Sequence, residues 1–279
     1  MKKGIRLSAV FTPGSLLLLI SASVLLASGD PRTENAMGIP RSSYGLGSAE
    51  YLEGSNLLYS LFVDTPEHIW DMEEKERTLE HLGIAASYIE ERAQEYQKEV
   101  ELIYDWQEAE GLSGKVSVDF AIGDEEDLTG RLDREIAFWV EELVDFEGLM
   151  EEYSAQGMAL LIFVNHPGTS YAIVYDGTDH PKESIVFFAG EPPAVYAHEI
   201  FHVFGAHDLY RDAEYSHKIT DYIQKTYPLE IMRTVLGENG KRHEEEIVNM
   251  VSPVTAYHLG WIDEIKETDE FPQLKRKGD

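Results

Sequence analysis

Two histidines and a glutamate in the second half of the chain have the spacing of a metal-binding and catalytic group. His198 and His202 are four residues apart, so on a helix they lie on one face, one turn above the other. Two imidazoles placed in this way can bind one metal ion, and Glu199 beside them can act as a base toward water on that ion. Gly205 follows, and glycine often ends a helix because it accepts the left-handed conformation. We therefore expect the chain to turn back there, so that a residue just beyond can supply a third ligand.

The helix that carries this motif should be buried. Its remaining residues are apolar on nearly every side: Val195, Ala197, Ile200, Phe201, Val203, Phe204 and Ala206. A buried glutamate and two buried histidines need partners or they destabilise the fold, and a metal ion with its water would satisfy all three. The alternative is a pair of core histidines bonded to backbone carbonyls, with Glu199 at the edge of a cleft.

The third ligand has adjacent rivals in the sequence, His207 and Asp208. Imidazole is the commoner zinc ligand, which favours His207. A carboxylate oxygen binds zinc at about 2.0–2.2 Å, so Asp208 can also complete a site. A further alternative takes the third ligand from Glu230 or from residues 244–246, which are all glutamate. Residue types alone leave this choice open.

Residues 198–208 read H-E-x-x-H-x-x-G-x-H-D and resemble the signature of the metzincin zinc peptidases, H-E-x-x-H-x-x-G-x-x-[H/D]. The version that ends in aspartate resembles the snapalysin-type branch of secreted bacterial peptidases. The resemblance implies a Zn²⁺ ion bound by His198, His202 and Asp208, which lies six residues after the second histidine. It also implies that Glu199 is the general base of peptide-bond hydrolysis, and that His207 lies beside the ligands or in the cleft wall.

Two segments further along the chain resemble other parts of that family. Glu230-Ile231-Met232 is similar to the Met-turn, the methionine beneath the zinc, and residues 255–261 are similar to the closing helix of several secreted zinc peptidases. Some metzincins carry a tyrosine two residues after the methionine, where this chain has Thr234, so we expect no zinc-facing tyrosine there. The similarity in element order covers about residues 158–262, but only residues 198–208 are specific to the family.

The order of predicted elements favours an α+β domain. Strands are predicted at residues 57–63, 116–122, 159–164, 171–175 and 184–188, and helices at 70–110, 130–153, the motif and 254–261, with shorter helical pieces at 216–226 and 244–250. The resemblance implies a zincin-like arrangement, with a mixed sheet and backing helices above the motif helix and a smaller C-terminal subdomain. Residues 170–176 are then a candidate strand for pairing with a peptide substrate, and the alternative is a plain edge strand.

The two ends of the chain differ from its centre in composition. Residues 1–29 have a basic start, an apolar run and small residues before Asp30, which predicts a signal peptide, with an uncleaved membrane anchor as the alternative. Residues 30–50 are rich in Gly, Ser and Pro and predict a linker or strap. The zinc peptidase domain is expected at 51–265, followed by a charged, frayed tail at 266–279.

Charge and cysteine content limit the possible functions. The net charge of −29 argues against nucleic-acid binding, which needs a basic surface. The chain has no cysteine, so thiolate ligands and disulfides are excluded. We therefore expect a secreted, extracellular zinc endopeptidase acting on protein or peptide substrates. The alternative is a zinc-bearing, non-catalytic extracellular binding protein, although zinc binding alone would not need Glu199.

A peptidase also needs a donor for the oxyanion that forms during hydrolysis. The sequence offers three candidates near the motif or in the predicted closing helix: Tyr210, Tyr257 and His258.

Overall fold

The computed structural model describes residues 25–26, 48–49, 52–106, 116–120, 126–174, 182–211, 213 and 215–276. Their strands are β1 (Leu25–Leu26), β2 (Gly54–Val63), β3 (Val100–Trp106), β4 (Gly157–Val164), β5 (Tyr171–Val174) and β6 (Ser184–Phe188). Their α-helices are α1 (Met72–Glu95), α2 (Glu126–Phe138), α3 (Phe146–Tyr153), α4 (Pro193–Val203), α5 (His217–Thr226), α6 (Pro253–His258) and α7 (Glu267–Glu270). A π-helical turn at Trp139–Leu143 follows α2, and a 3₁₀ turn at Pro272–Leu274 follows α7. The fold is α+β, as predicted.

The strands form one mixed sheet in the order β1-β5-β6-β4-β2-β3. Strands β3, β2, β4 and β6 are parallel, whereas β5 runs antiparallel to β6. The outermost strand, β1, has only two residues, which pair with Ile173 and Val174 of β5. The central strands are buried on both faces, which explains why β4 is almost continuously apolar rather than alternating.

Helices cover both faces of this sheet. Successive strand residues point to opposite faces, so Leu161 belongs to one core cluster and Leu160 to the other. The first cluster contains buried residues of α1 and α4 and of the C-terminal segment, and the second contains those of α2 and α3. All eleven residues of α4 are buried, which confirms the prediction of a buried motif helix.

The prediction of one helix over residues 70–110 is wrong beyond α1. The chain leaves the helix after Glu95, and Val100–Trp106 forms β3 instead. Gln97 makes this break with a φ of 61°, a conformation for which sequence patterns expect glycine. The apolar spacing that continues through Val100 and Ile103 fits a helix, but it is also compatible with a half-buried strand. Residues 107–110 lie outside the described part.

The prediction of one helix over residues 130–153 is also wrong. α2 ends at Phe138, and a π-helical turn and a short extended segment separate it from α3. Asp145 starts the new helix, because its side chain accepts a hydrogen bond from the amide of Gly148 at 3.0 Å. The apolar stripe of the sequence crosses this break without a change of period, so it does not reveal the break.

Three smaller predictions need correction. Residues 116–120 form only a single bridge between Ser117 and Asp64, and residues 121–122 lie outside the described part. Residues 244–250 form no helix, and Met250 makes a bridge with Glu230. The tail is not frayed as far as residue 274, because Phe271 and Leu274 are buried in the core and hold α7 and the 3₁₀ turn against it.

The predicted strands at 57–63, 159–164 and 184–188 are confirmed to within three residues, and that at 171–175 is confirmed up to Val174, beyond which residue 175 lies outside the described part. The short helices predicted near residues 216–226 and 254–261 are also present, as α5 and α6. The predicted signal peptide and linker lie almost wholly outside the described residues. Within the described residues, no helix is both long enough and apolar enough to span a membrane.

Candidate metal centre

The end of α4 determines where the residues after the motif lie. Gly205 has a φ of 99°, its amide donates to the carbonyl of His202 at 3.0 Å, and the amide of Ala206 donates to that of Phe201 at 2.9 Å. This pair of bonds is a Schellman motif, in which a left-handed residue reverses the chain at the helix end. The predicted stop at Gly205 is therefore confirmed, and the reversal directs Asp208 back toward the helix.

Three ligand atoms from this segment meet at one buried point. The Nε2 atoms of His198 and His202 are 3.1 Å apart, and each is 3.2 Å from Oδ1 of Asp208. A tetrahedral ion with bonds of about 2.0–2.2 Å would hold its ligand atoms roughly 3.3–3.5 Å apart, slightly wider than this triangle. Within the described residues, this is the one group of three or more metal-ligating side chains close enough to share an ion.

Backbone carbonyls fix the orientation of both imidazoles. Nδ1 of His198 lies 3.0 Å from the carbonyl of Ile231, and Nδ1 of His202 lies 2.8 Å from that of Ala206. A carbonyl oxygen only accepts, so each Nδ1 donates, and in a neutral ring Nε2 then carries a lone pair. Two lone pairs and the Asp208 carboxylate therefore face one another at the centre of the triangle. Such a group of acceptors is stable only with positive charge among them.

Of the candidates for the third metal ligand, only Asp208 lies in the triangle. The ring of His207 packs edge-on against Tyr215 and His258, with centroid distances of 6.2 and 5.2 Å, and it is not part of the triangle. The carboxylate of Glu230 accepts three hydrogen bonds elsewhere, and none of the glutamates at 244–246 belongs to the group.

The two acidic residues of the site respond differently to burial. Burial raises the pKa of Asp208, but positive charge and N–H donors on the adjacent His202 and His198, when these rings are protonated, outweigh that effect and hold the pKa below its usual value. For Glu199 burial dominates and raises the pKa to about 8, although His198 opposes the rise and Asp208 adds to it. No side chain in the described part of the chain donates a hydrogen bond to either carboxylate oxygen of Glu199, and the backbone of Ala172 lies near enough to lower its pKa. This buried, unsatisfied carboxylate lies beside the triangle, where a cation would lower its pKa.

Of the three candidate oxyanion donors, only Tyr210 lies at the triangle. Its hydroxyl donates to Oδ2 of Asp208 at 2.9 Å, which leaves Oδ1 for the centre. Tyr257 and His258 face the C-terminal segment instead, where they contact the amide of Arg276 and the carbonyl of Leu274. The two orienting carbonyls, of Ile231 and Ala206, were not predicted. Every residue type has a backbone carbonyl, so the sequence does not show which carbonyl will orient a histidine.

Strand β5, which contains most of the candidate substrate strand, packs against α4. The backbone of Ala172 in β5 lies close enough to Glu199 to lower its pKa against the effect of burial. On its outer side β5 pairs at Ile173 and Val174 with the two residues of β1, which lie inside the predicted signal peptide, so removal of that segment would open this edge. Residues 175–176 lie outside the described part.

Comparison with known proteins does not assign this chain to a family. No protein-family model matches it, and no curated protein matches it. Among solved structures, a chain described as "Structure of a chaperone-substrate complex" has a TM-score of 0.36 and 13% identity, covering 74% of this chain and 34% of that chain. This chain thus spans about a third of the length of that structure, and a likeness at this level carries no argument about function.

Proposed function

We propose that this protein is a zinc-dependent endopeptidase of the metzincin type. The observation that supports this most strongly is the buried triangle of His198, His202 and Asp208, whose acceptor atoms face one another 3.1–3.2 Å apart. Two nitrogens and one oxygen are a donor set that suits zinc. Three protein ligands also leave a fourth position for water or substrate, as in catalytic zinc sites.

Glu199 is the proposed general base. A bound zinc ion would lower the pKa of its water from about 15.7 to about 7 and polarise the scissile carbonyl. The Glu199 carboxylate then takes a proton from the attacking water and passes it to the nitrogen of the leaving amine. No side chain within the described residues donates a hydrogen bond to its two oxygens, so they are available for this proton. Tyr210 is the nearest of the candidate donors to the oxyanion, and its single hydroxyl proton, which is donated to Oδ2 of Asp208 in this structure, would have to turn to the oxyanion during hydrolysis.

The fold is compatible with the proposed metzincin architecture. The motif helix lies under a mixed sheet whose edge region contains the antiparallel strand β5, close to Glu199. An extended peptide could pair with such a strand through backbone hydrogen bonds while its scissile bond reaches the triangle. The non-catalytic alternative gives no reason for burying the Glu199 carboxylate without a side-chain partner, because such burial costs free energy and Glu199 is not one of the proposed zinc ligands.

Hydrolysis of casein by the purified chain tests this proposal. The zinc-loaded protein should degrade casein, a strong chelator should stop the reaction, and added Zn²⁺ should restore it. A matched sample of the variant His198→Ala should stay inactive at every zinc concentration. Activity that survives complete removal of the metal, or a zinc-loaded protein without activity, would contradict the proposal.

We also propose that the peptidase is exported. The basic start and apolar run of residues 1–29 are typical of a secretory signal. The exported protein should therefore begin near Asp30, which N-terminal sequencing of the secreted fraction would reveal. Recovery of the intact chain from Met1 in the cytoplasm would contradict export, and recovery of the intact chain in the membrane would favour the anchored alternative.

A further inference from the structure

One peptide group links the triangle to a buried carboxylate on its far side. The carbonyl of Ile231 accepts the hydrogen bond from Nδ1 of His198 at 3.0 Å. The other end of the same peptide group, the amide of Met232, donates to Oε1 of Glu230 at 3.2 Å. The carboxylate, the peptide and the imidazole therefore form one continuous chain of hydrogen bonds that ends at a proposed ligand atom.

Peptide geometry makes this link stiff. The peptide group is planar, with its N–H and C=O directed to opposite sides, so fixing one end fixes the direction of the other. An anionic acceptor on the N–H also polarises the group and strengthens its carbonyl as an acceptor, because hydrogen bonds in a chain reinforce one another. A carbonyl that holds the outer nitrogen of a ligand histidine orients the ring and raises the basicity of the ligand nitrogen.

We propose that Glu230 is a positioning residue for the metal site, acting on His198 through the Ile231–Met232 peptide. This inference rests on the proposed function, because it assigns a role to Glu230 in the binding of the same zinc ion. Glu230 itself touches neither the ion nor a substrate.

The contacts of Glu230 fit this role. The side chain is fully buried, and its carboxylate also accepts from the hydroxyl of Thr255 at 2.8 Å and from the amide of Ser252 at 2.5 Å. Two of these three partners are backbone amides, which only donate, and the third is a hydroxyl that donates here; burial raises the pKa of Glu230, and these donors oppose that rise. Two of them belong to the start of α6, so Glu230 also ties the turn at residues 230–233 to that helix.

The same turn supports the segment of the third proposed ligand. The carbonyl of Met232 accepts from the amide of Leu209 at 2.8 Å, directly after Asp208, and the amide of Ile231 donates to the carbonyl of Met250 at 2.9 Å. The turn is thus bonded to His198 of the triangle and to the residue that follows Asp208. A change in its orientation would reach two of the three ligand segments together.

The variant Glu230→Gln tests the proposal, with Thr255→Val as its matched control. Glutamine keeps the size of the side chain but removes the charge and presents a donor to one of the two amides. Thr255→Val removes one donor to the same carboxylate and weakens the tie to α6, but it leaves the charge and the Met232 contact. Zinc affinity is measured on the whole chain by competition with a chromophoric chelator, and the side-chain proton on Nδ1 of His198 is followed by NMR.

We expect Glu230→Gln to lower zinc affinity by about tenfold, the lower end of the range for partners behind a metal ligand. The His198 Nδ1 proton should move upfield in the same variant, with and without metal, because its acceptor is weaker. Thr255→Val should lose stability but keep the affinity and the proton shift of the parent. Parent-like affinity and shift in folded Glu230→Gln, or equal losses in both variants, would overturn the proposal.

A measurement on the parent covers the case in which Glu230→Gln does not fold. Zinc binding at His198 should then shift the Met232 amide proton, and an unchanged amide would overturn the proposal.

The outcomes also separate this inference from the proposed function. A parent that binds zinc but does not cleave casein refutes the peptidase and leaves the Glu230 test intact. A parent that binds no zinc refutes the metal site, and the metal-free His198 shift still tests the hydrogen-bond chain.

Discussion

The variant Glu199→Gln should lose nearly all peptidase activity while it keeps the zinc affinity of the parent. Glutamine has nearly the same shape but cannot take up a proton from water, and general acid–base catalysis is typically worth about 10²–10⁴-fold in rate. Glu199 is not part of the ligand triangle, so the ion should stay in place. The measurement is the rate of casein hydrolysis per bound zinc, with zinc content determined on the same sample.

Glu267→Gln is the matched control for this change. Glu267 is also a buried glutamate, but its carboxylate accepts from the hydroxyls of Tyr222 and Tyr227 far along the chain from the motif. Its replacement should cost stability and leave the rate per folded molecule unchanged. A parent-like rate in Glu199→Gln would refute the proposed base, and loss of zinc from it would mean that Glu199 is a ligand.

The second large effect is expected from Asp208→Ala, which should lose zinc, whereas His207→Ala should retain it. Removing Asp208 leaves two imidazoles without the third ligand and without the negative charge that favours the cation. His207 contacts Tyr215 and His258 rather than the triangle, so its removal should cost packing energy instead of metal. The measurement is the zinc content of each variant after dialysis, compared with that of the parent.

Comparing the two variants distinguishes the loss of a metal ligand from a general loss of folding. They change neighbouring residues of similar burial, so a general loss of folding would affect both. Zinc retained by Asp208→Ala and lost from His207→Ala would show that the assignment of the third ligand is wrong. Loss from both variants in samples that remain folded would show that this segment supports the site as a whole.

The positions of the proposed ligands could be predicted from the sequence because they depend on local geometry. The four-residue spacing of His198 and His202 places both on one helix face, and Gly205 is a residue that favours the left-handed turn observed there. Asp208 follows within one turn of that reversal, so short-range structure suffices to bring it back to the helix.

The contacts that orient the proposed ligands could not be predicted, because they come from residues that are distant from the motif in the sequence. The carbonyl that orients His198 belongs to Ile231, 33 residues further on, and any residue type offers a carbonyl. Glu230 looks like a possible ligand in the sequence, and only its three buried partners show that its carboxylate is used elsewhere.

The errors in the fold have a similar origin. Gln97 ends α1 in a conformation that its residue type does not indicate, and β3 then pairs with a strand more than forty residues earlier. Phe271 and Leu274 dock a charged tail onto a core that forms only when the chain has folded. Tertiary contacts override local pattern in each of these cases.

The most direct test of the account is the zinc content of the purified, folded parent chain after dialysis against metal-free buffer. Two imidazole nitrogens and a carboxylate oxygen, converging at 3.1–3.2 Å, predict one zinc ion bound per chain. The ion should be lost on acidification, because protons then compete for the imidazole nitrogens and the carboxylate. A folded chain that holds no zinc when zinc is supplied in excess at neutral pH would contradict the account.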